Sequence, residues 1–327
     1  TDQDFSCPEP CDLYRIAWTG DTMIGDKARD LIKEHGYSWV FRHAPALLDA
    51  DYAVGNSESP ITNRRKRWDP DRMWAYRMKP IVASELQRVG LDAMGLANNH
   101  AFDRGPEGAR DTRRHLDSVG MKIFGVGDDQ DEAEAPLLIE TPHGTVGVVA
   151  MESVRSAGQE ALPEQAGTPR LRRQTIERAH RRAREAGARW VVAYVHWGRN
   201  YRPIVFEQKR VARLLVSTGY DLVVGHGPHI QQPVGRIDGV PVLYSLGNFV
   251  FNSPGRFQKL DKPPYGLVAT TFLGPDGFEG IELKCLLADN LVTDYQPRPC
   301  TAQERSVSLS SLGPEVRVRG DIGVLTY

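Results

Sequence analysis

The sequence predicts an α/β fold on three observations. Short β-rich apolar runs alternate with amphipathic segments over most of the chain; the amphipathic segments stop at glycine; and polar residues collect where the apolar runs end. In chain order the strands are Tyr14 to Thr19, Tyr52 to Gly55, Ala93 to Ala97, Lys122 to Gly125, Thr145 to Met151, Trp190 to Val195 and Leu222 to Val224. The helices between them are Ile81 to Val89, Glu107 to Val119, Leu171 to Ala186 and Phe206 to Ser217. Gly90, Gly120 and Gly187 end the first three, and the fourth runs into Thr218-Gly219, because glycine accepts the left-handed backbone that closes a helix.

After Ile230 the pattern turns to strands and turns. Gly235 to Val242 reads as a hairpin across Asp238-Gly239, followed by Leu243 to Phe251 and further strands to Val292. No repeat, low-complexity tract or linker divides the chain. One unit over residues 1–327 is expected, with its motifs at about 14–255 and a β-rich extension over 256–327.

Hydrophobic residues make up 40% of the 327 and charged residues 25%, which excludes disorder as the default. Forty-one Lys and Arg against 42 Asp and Glu give a net charge of -1, so nothing draws the whole chain to nucleic acid or an anionic membrane. No apolar run approaches the roughly 18 residues a membrane-spanning helix needs. The chain starts with Thr, so a signal or anchor removed earlier leaves its compartment open. Cys7, Cys11, Cys285 and Cys300 lie near the two ends, an even count that allows two disulfides tying the termini together, or plain reduced thiols. A four-thiolate zinc site fits poorly, with a three-residue spacer in the first pair and the second pair far apart.

The strand ends carry the chemistry. Asp21 follows the first strand, Glu58 the second, Asn98-Asn99-His100 the third, His196-Trp197-Gly198 a later one, and His226 and His229 another. In a parallel sheet these ends open on one edge, where such folds place their sites. Carboxylates, an amide oxygen and imidazoles without thiolate suit manganese, iron or zinc, and six such ligands with one bridging carboxylate can hold two ions.

The order Gly-Asp, a carboxylate segment, Asn-His, a strand-terminal His and Gly-His-x-x-His resembles the calcineurin-like metallophosphoesterases. Leu96-Ala97-Asn98-Asn99-His100 with Asp103-Arg104-Gly105, His196-Trp197-Gly198, Gly225-His226-Gly227-Pro228-His229 and Tyr244-Ser245-Leu246-Gly247-Asn248-Phe249 are similar to the CapA, poly-gamma-glutamate capsule branch. The resemblance implies a four-layer α/β/β/α sandwich with a metal site at the C-terminal ends of strands. It implies two divalent transition-metal ions bridged by Glu58, with Asp21 and His229 on one, and Asn99, His196 and His226 on the other. His100 would face the substrate, to protonate the leaving group or stabilise developing charge, with Asp103 as its orienting partner.

Four departures qualify this. Met23 stands where the superfamily's first motif usually has a His, so that ion is short of a ligand and weakly held unless Asp26 substitutes. Ser57, Gly227 and Asn200 replace the branch's usual residues without touching the expected ligands. Arg64-Arg65-Lys66-Arg67, in a long loop with Trp68, Trp74 and Tyr76, offers Arg64, Arg65 and Arg67 as contacts for substrate phosphate or carboxylate groups; the alternative is a plain solvated loop. The basic residues of 170–189 read as a solvated helix face. The expected partner is a small molecule or polymer bearing such anionic groups. Phosphoester hydrolysis leads, γ-glutamyl amide cleavage or transfer comes second, and a non-catalytic role in handling a capsule polymer is the third reading.

Overall fold

Along the strand Trp190–His196, Trp190, Val192 and Tyr194 join one apolar cluster, and Val191, Ala193 and Val195 join another. Side chains alternate across a strand, so a strand apolar on both faces belongs to a sheet covered on both sides. That requirement sets the architecture.

The computed structural model describes residues 12–153 and 159–327. Its strands are β1 (Tyr14–Met23), β2 (Tyr52–Ser57), β3 (Ala93–Gly95), β4 (Lys122–Phe124), β5 (Leu137–Thr141), β6 (Gly144–Glu152), β7 (Trp190–His196), β8 (Leu222–His226), β9 (Val234–Ile237), β10 (Val240–Leu243), β11 (Asn248–Phe251), β12 (Tyr265–Gly274), β13 (Gly277–Leu287), β14 (Arg298–Pro299), β15 (Arg317–Arg319) and β16 (Ile322–Thr326). The helices are α1 (Arg29–His35), α2 (Val82–Arg88), α3 (Gly105–Asp117), α4 (Gln130–Ala133), α5 (Arg173–Glu185), α6 (Phe206–Thr218), α7 (Phe257–Leu260), α8 (Asn290–Thr293) and α9 (Ala302–Ser310).

One sheet runs β15-β16-β13-β12-β1-β2-β3-β4, with β11 also on β1 and β14 on β13; the other runs β5-β6-β7-β8-β10-β9. Strands β1 to β4 are mutually parallel, as are β6, β7, β8 and β10. Ile16, Trp18, Val54 and Leu267 of the first sheet meet Val148, Val192, Tyr194 and Val224 of the second. Ile32, Leu86 and Leu116 of α1, α2 and α3 cover the outer face of the first sheet, and Ile176, Val211 and Leu215 of α5 and α6 cover the second. The four-layer α/β/β/α sandwich implied by the resemblance is therefore the observed fold. The Tyr194 hydroxyl crosses the inner core to donate to the Thr19 carbonyl at 2.5 Å, joining the sheets.

The Asp238-Gly239 turn closes β9 on β10 with both residues at positive φ, as the hairpin reading requires. Elsewhere the pattern was less direct. Leu243 to Phe251 is two strands, β10 and β11, that belong to different sheets. The switch brings backbone against backbone: a Cβ on Gly20 would lie 1.8 Å from the Gly247 carbonyl oxygen, which accepts from Asp21 N at 3.0 Å. The 256–327 segment is built into the first sheet, since β12 pairs antiparallel with β1 from Tyr14↔Leu273 to Trp18↔Ala269.

The cysteine expectation needs correction. Cys285 and Cys300 are bonded to each other, bridging β13 to the end of β14 rather than one terminus to the other, and a four-thiolate zinc site is thereby excluded. Backbone pairing sets this choice: Cys300 N donates to the Cys285 carbonyl, which holds the two Cα atoms 5.5 Å apart. Cys7 and Cys11 lie outside the described residues. On α5, Arg178 pairs with Glu134, Arg182 with Asp131 and Arg184 with Asp221. Among the described residues no helix is long and apolar enough to cross a membrane.

Candidate metal centre

Parallel pairing puts the C-terminal ends of β1, β2, β3, β7 and β8 on one edge, and there the two sheets present their polar residues to each other. Asp21 lies at the centre. Its Oδ1 is 3.3 Å from His226 Nδ1 and 3.7 Å from His196 Nδ1, and its Oδ2 is 3.3 Å from His229 Nδ1. Glu58 Oε1 is 3.8 Å from His229 Nε2 and 3.8 Å from His196 Nε2. Two groups have ligand atoms close enough to share an ion, Asp21 with His196 and His226, and Asp21 with Glu58 and His229; all five residues are buried.

Asp21 is common to both groups, with Oδ1 facing His226 and His196 and Oδ2 facing His229, while Glu58 Oε1 lies 3.8 Å from one histidine of each group. Neither group includes Asp26, and Met23 is buried in β1 opposite Phe251 of β11.

The donor set fits metal. Glu58 Oε2, Asn99 Oδ1 and His226 Nε2 are buried without a hydrogen-bond partner, and all three are atom types that bind transition ions. Burial works against a charge on Asp21, but hydrogen bonding to His226 and His229 and the nearby imidazoles hold its carboxyl well below the usual range. Burial pushes Glu58 well above that range, and the charge of Asp21 beside it adds to the shift. A cation between the two lets both ionise. Burial likewise lowers His196, favouring the neutral imidazole that ligates, with Asp21 opposing.

Backbone geometry tightens the cluster. Gly227 sits at φ 111°, its N–H donates to Asp21 Oδ2 at 3.1 Å, and a Cβ there would lie 3.1 Å from His196 Nε2. The departure at Gly227 thus bears on the ligands themselves. His229 holds φ 61°, which is uncommon for a residue with a side chain and marks a position fixed by its surroundings. Asn98 links the second and third strand ends, donating to Asn56 Oδ1 and the Ser57 carbonyl while accepting from His100 N. Asn56 in turn donates to Asp21 Oδ1 at 2.9 Å, and Asn248 Oδ1 is 2.8 Å from His229 Nδ1. Sequence reasoning missed these three amides as parts of the site. The signal was present for Asn98 and Asn248, which lie inside the quoted motifs.

His100 is held apart from the ligand groups. Its Nδ1 is 2.8 Å from Asp103 Oδ2 and its Nε2 is 4.0 Å from Glu58 Oε1. Burial lowers its pKa, with Asp103 pulling the other way. Asn99 precedes it; its backbone carbonyl accepts from Arg72 and Gln159, leaving the side-chain oxygen free. The basic loop lies at the surface. Arg64 bonds Asp111 and pairs with Glu107 on α3, Arg67 bonds the Arg72 carbonyl, and Arg65 is exposed. A separate cavity of about 740 Å³, lined by residues including Arg170, Trp197, Arg199 and Glu207, adjoins the end of β7 but includes none of the candidate ligands.

Residues 15–253 match the family described as bacterial capsule synthesis protein PGA_cap. The chain is 28% identical over 245 residues to the capsule biosynthesis protein CapA of Bacillus anthracis, covering 72% of this chain and 59% of that one. It is 27% identical over 248 residues to the PGA biosynthesis protein CapA of Bacillus subtilis (strain 168), covering 74% and 64%. The matches thus take in less than two thirds of either relative's length. A solved hypothetical protein from Thermus thermophilus shares the fold at a TM-score of 0.52 and 17% identity, covering 83% of this chain and 98% of that one. Because the matched span runs from within β1 to just past β11 and carries every candidate ligand, the chain belongs to the bacterial capsule synthesis protein family PGA_cap.

Proposed function

We propose that this chain is a metal-dependent hydrolase acting on a phosphoester. The observation that carries the reading is the pair of buried ligand groups meeting at Asp21, with an unliganded imidazole, His100, 4.0 Å from Glu58. Asp21, Glu58, His196, His226 and His229, with Asn99 as a sixth, would hold two ions of manganese, iron or zinc. When bound, such ions activate water and stabilise charge on the oxygens of a displacement. The protein's own groups do the rest. Asp21 and Glu58 supply the anionic cradle, and Asp103 keeps the His100 ring turned with Nε2 toward the site. From there His100 delivers a proton to the departing oxygen or stabilises its charge. The exposed Arg65, Lys66 and Arg67, with Trp68 and Trp74 on the same loop, offer an anionic substrate its first contacts.

A second reading is cleavage of a γ-glutamyl amide, favoured by the similarity to a protein named for PGA biosynthesis. The same cradle and imidazole serve attack on a polarised carbonyl. Protein purified without chelators, analysed for bound metal and assayed with metal added back on phosphoesters and γ-glutamyl peptides, separates the readings. Turnover of phosphoesters alone supports the first and of peptides alone the second; absence of both bound metal and turnover refutes both.

A further inference from the structure

Arg72 belongs to none of the motifs and stands in the irregular stretch between β2 and α2. Its guanidinium nevertheless reaches three places at once. Nε donates to the Trp74 carbonyl at 3.1 Å, Nη2 donates to the Asn99 carbonyl at 2.5 Å, and Nη1 lies 3.2 Å from Asp103 Oδ1. The last is an ion pair rather than a directed hydrogen bond, since Asp103 Oδ1 has no hydrogen-bond partner. It is nonetheless the charge facing a fully buried carboxylate. The other Asp103 oxygen contacts His100 Nδ1 at 2.8 Å and accepts from Tyr76 N at 2.6 Å. The Tyr76 ring, from the same stretch as Arg72, lies 4.7 Å from the imidazole.

We infer that Arg72 is a positioning residue that fixes the aim of His100, by bracing Asp103 on one side and the Asn99 backbone on the other. The inference rests on the hydrolase reading above. Its physical basis is the planar, multi-donor guanidinium, which can engage a carboxylate and a carbonyl simultaneously; a lysine ammonium on a flexible stem is a poor substitute. Without the brace, the 72–76 stretch loses its tie to the 99–103 loop, Asp103 is left buried without its cation, and the imidazole is free to turn. Misplacing a reacting group by about 1 Å can cost up to about 10²-fold in rate.

The test uses the full chain at saturating manganese, with p-nitrophenyl phosphate and phenyl phosphate as esters whose leaving groups differ in basicity. Wild type, Arg72→Ala, Arg72→Lys, His100→Ala and the Arg72→Ala/His100→Ala double variant are compared for kcat and KM, with metal content and thermal unfolding as controls. Arg72→Ala should lower kcat more on phenyl phosphate than on p-nitrophenyl phosphate, leave KM within about 3-fold, and add nothing to the His100→Ala loss. Arg72→Lys should fall between wild type and Ala. Losses that multiply in the double variant, or a raised KM at unchanged kcat, would overturn the inference. Where the Ala variant unfolds, a folded Lys variant with wild-type kcat does the same, because Lys cannot make both braces. Failure of the parent reading looks different: the wild type turns over neither ester, or His100→Ala keeps full turnover.

Discussion

His196 and His226 lie with their Nδ1 atoms 3.0 Å apart, because β7 and β8 are parallel neighbours paired at those two residues. Two imidazoles brought together this closely beside a carboxylate form a candidate cation site, and His226 Nε2 has no hydrogen-bond partner. His226→Ala and His196→Ala should therefore each lower affinity for manganese or zinc by more than about 10-fold, the lower end of what loss of an outer-shell partner costs. Elemental analysis and metal titration of the purified variants check this; unchanged stoichiometry and affinity would remove the assignment.

Met23 follows Asp21 by two residues on β1, so the two side chains project to the same face. An ion held by Asp21, Glu58 and His229 would be the one short of an imidazole. Met23→His should raise its affinity, read as an increase in stoichiometry toward two equivalents at limiting metal. Asp26→Ala should change neither number. Tight binding of two ions by the wild type would show that another ligand, with Asn248 the nearest amide to His229, already completes the shell.

His100→Ala should keep its metals and its unfolding temperature and lose turnover by about 10² to 10⁴, most on esters with poor leaving groups. The measurement pairs metal content with kcat on both esters. Loss of metal would make His100 a ligand, and full turnover would leave it a structural residue of the 99–103 loop.

Acid should reveal the cap of α9. Thr301 and Glu304 form a reciprocal capping box, and Arg298 hydrogen-bonds Glu304 at 2.8 and 2.9 Å, which together bring its carboxyl down to about 2 despite partial burial. A depressed folded-state pKa stabilises the fold when the pH is above the unfolded value near 4.5, and that stabilisation disappears as pH falls through about 2. Glu304→Gln should therefore be less stable than wild type at pH 7, with the gap closing toward pH 2. A gap that stays constant with pH in denaturant titrations would count against the carboxylate as its source.

Much of this was legible in the residues and some was not. Strands such as β7 and β8 declare themselves because both faces are apolar, and their terminal histidines follow from where those runs stop. The sharing of Asp21 was hidden, since which oxygen faces which histidine depends on how two sheets meet, a relation no single segment encodes. Arg72 was hidden for a similar reason: Asn99 and Asp103, the partners that tie it to the site, lie 27 residues or more away, and the neighbouring Arg64 to Arg67 cluster gave a stronger charge signal. The Cys285 to Cys300 bond was one of several pairings the count allowed, and only the β13 to β14 ladder distinguishes them.

The pairing of β12 with β1 separates two boundaries that are easily confused. Every recognisable motif ends by residue 253, yet the strand that carries Asp21 has as its antiparallel neighbour a segment that starts at Tyr265. A fragment cut at 253 would keep all the chemistry and lose that partner, leaving Tyr14 to Trp18 with open backbone donors and acceptors, an edge that invites a foreign strand. The least recognisable quarter of the chain is thus the part that keeps the most recognisable strand from acting as an adhesive edge.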